Sequence, residues 1–286
     1  KGPMNRIEDY AELTDNIVKW ISDYCLLNKR KTLVVGISGG IDSSVVSTLS
    51  ALTGMKTYVV GMPINQIEGQ EELSDAHGEW LQSRFSNVTF VKTDMSKVYD
   101  SFLQTINDDI GTRYATDKLA QANTRSRFRM VTLYQIAASV GGIVIGTGNK
   151  VEDYGVGFYT KYGDGGIDIA PIADLYKTEV WELGKSLGID PRIVSAAPTD
   201  GLWDDGRTDT DQLGVSYELL EWVMESGVAE WMQGNPEELT QWQGNDLTLD
   251  QKEAIDQYRK FHRQNRHKMD PIPTYKVEFN PAPHFV

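Results

Sequence analysis

The chain has 286 residues and a mass of 32.1 kDa, with 40% hydrophobic and 24% charged residues, the proportions of a globular protein long enough for a full core. Its 28 lysines and arginines stand against 41 aspartates and glutamates, and the resulting charge of −13 argues against general nucleic-acid binding; no apolar run reaches the ~18–20 residues of a membrane span. A single cysteine, Cys25, excludes an intramolecular disulfide, a Cys-paired zinc site and a CxxC redox centre, so a reducing cytoplasm fits best.

Lys1-Gly2-Pro3 ahead of Met4 reads as the remnant of an expression tag, leaving residues 4–286 as one domain. Cys25 falls in a first helix, as a buried structural thiol. Short β-branched runs at residues 32–37, 57–62, 88–93 and 143–147 then alternate with helical spacing at 43–53, 71–85, 96–107 and 117–140. This alternation predicts an α/β fold, a Rossmann-like doubly wound parallel sheet with right-handed crossovers, whose ligands bind outside the carboxyl ends of the strands. A glycine-rich stretch (154–166), a strand-like run (167–172) and a helix (176–187) follow. From Pro198 the chain is acidic, with Trp203, Trp222, Trp231 and Trp242 as packing residues, and it closes on a helical extension with a basic helix at 250–267.

The segment Gly36-Ile37-Ser38-Gly39-Gly40-Ile41-Asp42-Ser43-Ser44 follows the first strand and opens a helix. Adjacent glycines let backbone N–H groups approach a phosphate, the helix N-terminus adds its dipole, and the serines add hydroxyls. A carboxylate at Asp42 would repel that phosphate unless a cation intervenes, which points to Mg²⁺ shared between protein and nucleotide. A tight turn with Asp42 or Ser43 as helix cap would account for part of the string only. The chain lacks GxxxxGK[ST], and the loop spacing fails GxGxxG.

The loop resembles the pyrophosphate loop of the N-type ATP pyrophosphatases, which cleave ATP between its α and β phosphates and adenylate an oxygen of their substrate. NTRSRFRM (123–130), GTGNKVE (146–152), FYTKYGDGGID (158–168), Ala197-Pro198-Thr199 and His267-Lys268 occur in the order found in ammonia-using NAD synthetases, so the resemblance runs from about residue 33 to 268. That resemblance implies ATP as co-substrate, contacted by residues 36–43, Thr147, Lys177 and Thr199, with Mg²⁺ on Asp42 and Glu152. It also implies that Lys177 sits near the leaving pyrophosphate and that Arg127, Lys161, Asp168, His267 and Lys268 contact deamido-NAD. Asp168 is in addition the candidate acceptor or docking group for ammonia. A homodimer through the helix at 117–140 is expected, with ammonia as nitrogen source, because the lone cysteine precedes the first strand and no glutamine-hydrolysing cysteine is recognisable.

Read without the resemblance, Glu152 would be a solvated helix-start acid, Thr147 a strand-end β-former, residues 161–166 a turn, and the basic C-terminal run a solvated face. Another adenylating enzyme and a non-catalytic nucleotide sensor are the competing readings; FYTKYGDGG weighs against the first, and the retention of Asp42, Glu152 and Lys177 against the second. Many family members carry Asp-His where this chain has Gly148-Asn149.

Overall fold

The β-branched runs become strands of one parallel sheet. The computed structural model describes residues 6–66, 68–199, 207–231, 241–242 and 245–277. In chain order, α1 (Tyr10–Leu27), β1 (Thr32–Ile37), α2 (Ile41–Leu52), β2 (Lys56–Gly61), α3 (Glu68–Arg84), β3 (Val88–Lys92) and α4 (Ser96–Asp109) lead to α5 (Thr112–Thr116), α6 (Lys118–Ser139) and β4 (Gly142–Val144). The strand order is β3-β2-β1-β4, all parallel, with Val35 opposite Val59 and Thr32 opposite Gly142.

Both faces of β1 are buried, as its unbroken apolar run requires. Leu33 and Val35 join Ile21 and Cys25 of α1 and Val45 and Leu49 of α2 on one face, while Val34 meets Val60, Val144 and Ala137 of α6 on the other. The doubly wound arrangement expected from the alternation is therefore present. Cys25 is free and fully buried, and burial raises its thiol pKa.

The fourth strand is shorter than its sequence suggests. Beyond Val144 only Ile145 continues, in a single parallel bridge to Ile169, and the run at 167–172 contributes no more than that bridge. Asp168 accounts for the difference: its Oδ2 accepts from Val144 N at 2.8 Å, taking the place of a neighbouring strand's carbonyl.

After Gly146 the chain turns through a π-helical turn (Val151–Val156) and continues with α7 (Lys177–Ser186), α8 (Pro191–Ser195), α9 (Asp209–Leu213), α10 (Tyr217–Ser226) and α11 (Val228–Trp231). A two-residue ribbon of β5 (Gln241–Trp242) and β6 (Asn245–Asp246) precedes α12 (Leu249–Met269). A second apolar cluster joins Val151 and Val156 of the turn to Leu220 and Val223 of α10 and to Ile255 and Tyr258 of α12, with Trp222 packed at its margin. The helical extension thereby roofs the carboxyl ends of the strands. Trp203 lies outside the described residues, as do Lys1, Gly2 and Pro3 and the side chains of Trp231 and Trp242. Among the described residues no helix is long and apolar enough to cross a membrane.

Candidate functional site

The loop between β1 and α2 is shaped by its own short bonds. Ser38 N donates to Ser43 Oγ at 3.1 Å, Ser44 Oγ donates to Gly40 O at 2.7 Å, and Gly40 caps α2 with no side chain covering the first amides. Those amides form an anion site. Gly39 is needed for two reasons: its φ is +84°, and a Cβ there would stand 2.7 Å from Gln70 O of α3.

Lys177 opens α7 and points back at this loop. The start of α7 is fixed by two carboxylates, Glu179 accepting from Tyr176 N at 2.8 Å and Glu221 accepting from Thr178 N at 3.0 Å and its hydroxyl at 2.8 Å. Arg6 holds Glu179 in turn, at 2.7 Å. Lys177 is 3% exposed, and its Nζ donates to Asp42 Oδ2 at 2.7 Å and lies 3.8 Å from Glu152 Oε1. Burial works against the ammonium, but Asp42 and Glu152 outweigh it and hold the lysine above its ordinary pKa. Glu152 is raised as well, which for an acid disfavours the charged form: burial first, then Asp42, push it well above its ordinary pKa against the pull of Lys177.

Asn149, fully buried, ties these groups together. Its Nδ2 donates to Asp42 Oδ2 at 3.3 Å and its Oδ1 accepts from Glu152 N at 3.2 Å. Tyr217 brings in a further carboxylate, its hydroxyl lying 3.3 Å from Glu152 Oε1 and 3.4 Å from Asp209 Oδ2. That hydroxyl has one proton and donates to one of them at a time. Among the described residues no three His, Cys, Asp or Glu are grouped to hold a metal by themselves. Asp42 Oδ1, however, is buried without a hydrogen-bond partner, and Asp42 and Glu152 present hard oxygens beside one lysine. This donor set fits Mg²⁺ shared with a phosphate chain, which completes the shell with its own oxygens and waters.

One cavity of about 340 Å³ opens onto the loop, Asp42, Glu152, Lys177 and Asp209, while Asn149 and Tyr217 do not line it. Its lining takes in residues 36–43, Thr147, Glu152, Lys177, Thr199 and Asp209, around the phosphate loop and Lys177, and also Asp153, Phe158, Tyr159, Asp164 and Ile167, from the π-helical turn and the segment after it. Asp164 is held in its turn by Thr160 N at 2.7 Å and Ser126 Oγ at 3.2 Å.

The NAD synthase profile matches residues 13–271. The chain belongs to the NAD synthase family. An NH(3)-dependent NAD(+) synthetase of Methanosarcina mazei is 34% identical over 273 residues, covering 93% of this chain and 98% of the relative. One from Pyrococcus horikoshii is 36% identical over 219 residues, 77% of this chain and 79% of the relative. The solved structure of the NMN synthetase from Francisella tularensis superposes with a TM-score of 0.79 at 29% identity, covering 95% of this chain and all of that one.

In this NAD synthase the residues singled out from sequence divide sharply. Every nucleotide and metal candidate lines the cavity, whereas Arg127, Lys161, Asp168, His267 and Lys268 do not. Arg127 Nε donates to Lys161 O at 3.1 Å, and Lys268 Nζ spends its protons on Gly157 O and Tyr159 O, both at 2.6 Å. His267 is exposed. Asp168 accepts from Val144 N at 2.8 Å and from Tyr134 OH at 3.0 Å, at the edge of a strand. Sequence reasoning passed over Asn149, Asp153, Asp164, Asp209 and Tyr217. For Asn149 and Asp164 a signal existed, because both sit inside the quoted GTGNKVE and FYTKYGDGGID blocks.

Proposed function

We propose that the protein is an ammonia-dependent NAD synthetase, a ligase that adenylates the nicotinate carboxylate of deamido-NAD with ATP and then exchanges AMP for ammonia to give NAD. The observation that carries this reading is the meeting of Asp42, Glu152 and Lys177, from three separate elements, at the mouth of a phosphate-shaped loop. In this scheme the amides opening α2 and the hydroxyls of Ser38 and Ser43 cradle the phosphates, and Thr147 and Thr199 face the nucleotide from the strand end and the roof. Lys177 exchanges Asp42 for the departing pyrophosphate, whose charge grows as the α–β bridge breaks. Mg²⁺ on Asp42 and Glu152 would neutralise the triphosphate and polarise the attacked phosphorus. The protein's remaining contribution is positioning: the apolar wall of Phe158, Tyr159 and Ile167 suits a flat pyridine ring, and Ala196, Ala197 and Pro198 add apolar surface that keeps water from the adenylated intermediate. A homodimer through α6 follows from the same family reading, with Leu119 and Val131 exposed on that helix.

A second acceptor is favoured by one observation. The Francisella tularensis relative is an NMN synthetase, and Arg127, Lys161, Asp168, His267 and Lys268, implied to contact deamido-NAD with its additional nucleotide half, lie off the cavity here. Nicotinate mononucleotide carries the same reacting carboxylate without that half.

Both acceptors are tested together. The protein is mixed with MgATP, ammonium or glutamine, and either deamido-NAD or nicotinate mononucleotide, and amide product, AMP and pyrophosphate are followed. Equal amounts of NAD, AMP and pyrophosphate with ammonium, and little with glutamine, establish the primary reading. A kcat/KM higher for the mononucleotide transfers it to the shorter substrate, and no pyrophosphate with either acceptor overturns both.

A further inference from the structure

The carbonyls that close the π-helical turn are answered by one face of α12. The last carbonyls of a helical turn have no amide ahead of them and need donors from elsewhere. Here His262 Nδ1 donates to Gly155 O at 2.7 Å, Asn265 Nδ2 to Val156 O at 2.9 Å, and Lys268 Nζ to Gly157 O and Tyr159 O at 2.6 Å each. Residues 262, 265 and 268 recur at the spacing that shares one helix face, while 263, 264, 266 and 267 are exposed. The approach is close: a Cβ on Gly157, whose φ is +67°, would stand 2.4 Å from Asn265 Cβ.

This grip ends on a residue of the cavity wall. Tyr159 lines the cavity, whereas His262, Asn265 and Lys268 do not. Besides its carbonyl, Tyr159 offers Lys268 its ring, with Nζ 4.8 Å from the centroid. Gly165 also lies against that ring, where a Cβ would stand 2.6 Å from Tyr159 Cδ2 and 2.8 Å from Cε2. Ring and backbone of Tyr159 are thus both held from outside the cavity, by a half-buried ammonium bonded to two carbonyls.

We propose that this face of α12 positions the acceptor substrate indirectly: Lys268 sets the ring and backbone of Tyr159 as a cavity wall, and Asn265 and His262 hold the turn that leads into it. The three are positioning residues, and the substrate meets Tyr159 instead of them. The proposal rests on the amidation reading, in which that wall receives the pyridine ring. In this assignment Lys268 serves the acceptor without the direct contact that the family resemblance implies.

The test joins Michaelis constants to a measurement made without substrate. Lys268→Met is expected to raise the KM for the acceptor, deamido-NAD or nicotinate mononucleotide, by about tenfold and to leave the KM for ATP within about twofold. Asn265→Ala should move the acceptor constant in the same direction, by about threefold. Tyr159→Leu should raise it as well, and in that background Lys268→Met should add less than about twofold, because the lysine then has no ring to place. In amide hydrogen exchange, residues 155–164 of Lys268→Met should exchange about tenfold faster than in the wild type, while residues 36–43 keep the wild-type rate. An unchanged acceptor KM in Lys268→Met, an equal rise in both Michaelis constants, or unchanged exchange at 155–164 overturns the proposal. Additive effects of Lys268→Met and Tyr159→Leu overturn it too, since the lysine would then reach the acceptor itself. If the wild type forms no amide with either acceptor, the amidation reading fails and the role toward the acceptor falls with it; hydrogen exchange then decides by itself whether α12 holds the wall.

Discussion

At the phosphate-loop end of the cavity most polar groups come from one unbroken segment, residues 36–43, whose shape is set by serine-to-backbone bonds and one positive φ at Gly39. The acceptor end draws on separate pieces: the π-helical turn, the turn around Asp164, and Ser126 of α6. Lysines show the contrast well. Lys177 is buried in the cavity wall and balances two carboxylates, whereas Lys268 props up the carbonyls of Gly157 and Tyr159 from behind. One end carries charge to the reaction; the other is bounded by turns that residues outside the cavity help to hold in place. Substitutions at the first should stop the chemistry, and substitutions at the second should retune it.

The sharpest way to break this contrast is Lys177→Met. Pyrophosphate release should fall by about 10²–10³-fold, and the two carboxylates left without their buried cation should cost roughly 3–5 kcal/mol in a urea titration. A variant that keeps its turnover would put the reacting phosphates elsewhere.

A pH titration probes the support of the nucleotide end. His77 of α3 is buried against Ser47 of α2 at 2.9 Å, and burial lowers its pKa from 6.5 to about 4. The unfolded chain therefore takes up the proton first as pH falls. The stability this group contributes is complete above 6.5 and is lost as pH drops towards 4, by about 3 kcal/mol. Unfolding curves between pH 7 and 4 should show this limb in the wild type and lack it in His77→Gln.

Gly39→Ala should cost about 1–3 kcal/mol through its backbone strain and its approach to Gln70 O. Its KM for ATP should rise by about tenfold and its KM for the acceptor should stay level, separating the two ends kinetically. Asp168→Asn has the smallest expected effect, about 1–2 kcal/mol of stability from the weakened bonds to Val144 N and Tyr134 OH. Its yields of pyrophosphate and amide should remain in step. A selective loss of amide would return Asp168 to the reacting groups.

Much of the nucleotide end was legible because its information is local. Glycines, serines and an aspartate directly after a β-branched strand specify a loop whatever lies around them, and the strand ends mark where a ligand must lie. Lys177 and Glu152 could be named only through the resemblance, since nothing in their immediate neighbours marks them. Asp168 shows the opposite limit: its partner is a strand-edge amide 24 residues away, and only the folded sheet reveals that this amide lacks a strand to bond. Tyr217 and Asp209 escaped notice for a similar reason: Tyr217 meets Glu152, 65 residues before it, only after the extension folds over the turn, and it brings Asp209 with it. Asp153 was hidden because it follows directly on the quoted GTGNKVE block and lies against Gly148 only once the chain has turned after the strand.

The contact between Asp42 and Lys177 spans 135 residues of chain. A ribosome releases the phosphate loop long before it makes the lysine that answers it, and the roof arrives later still. A half-made chain thus has the carboxylate of Asp42 but not the buried cation that answers it. The closed pair of charges is itself a report that synthesis has passed residue 177 and that the chain has folded around it.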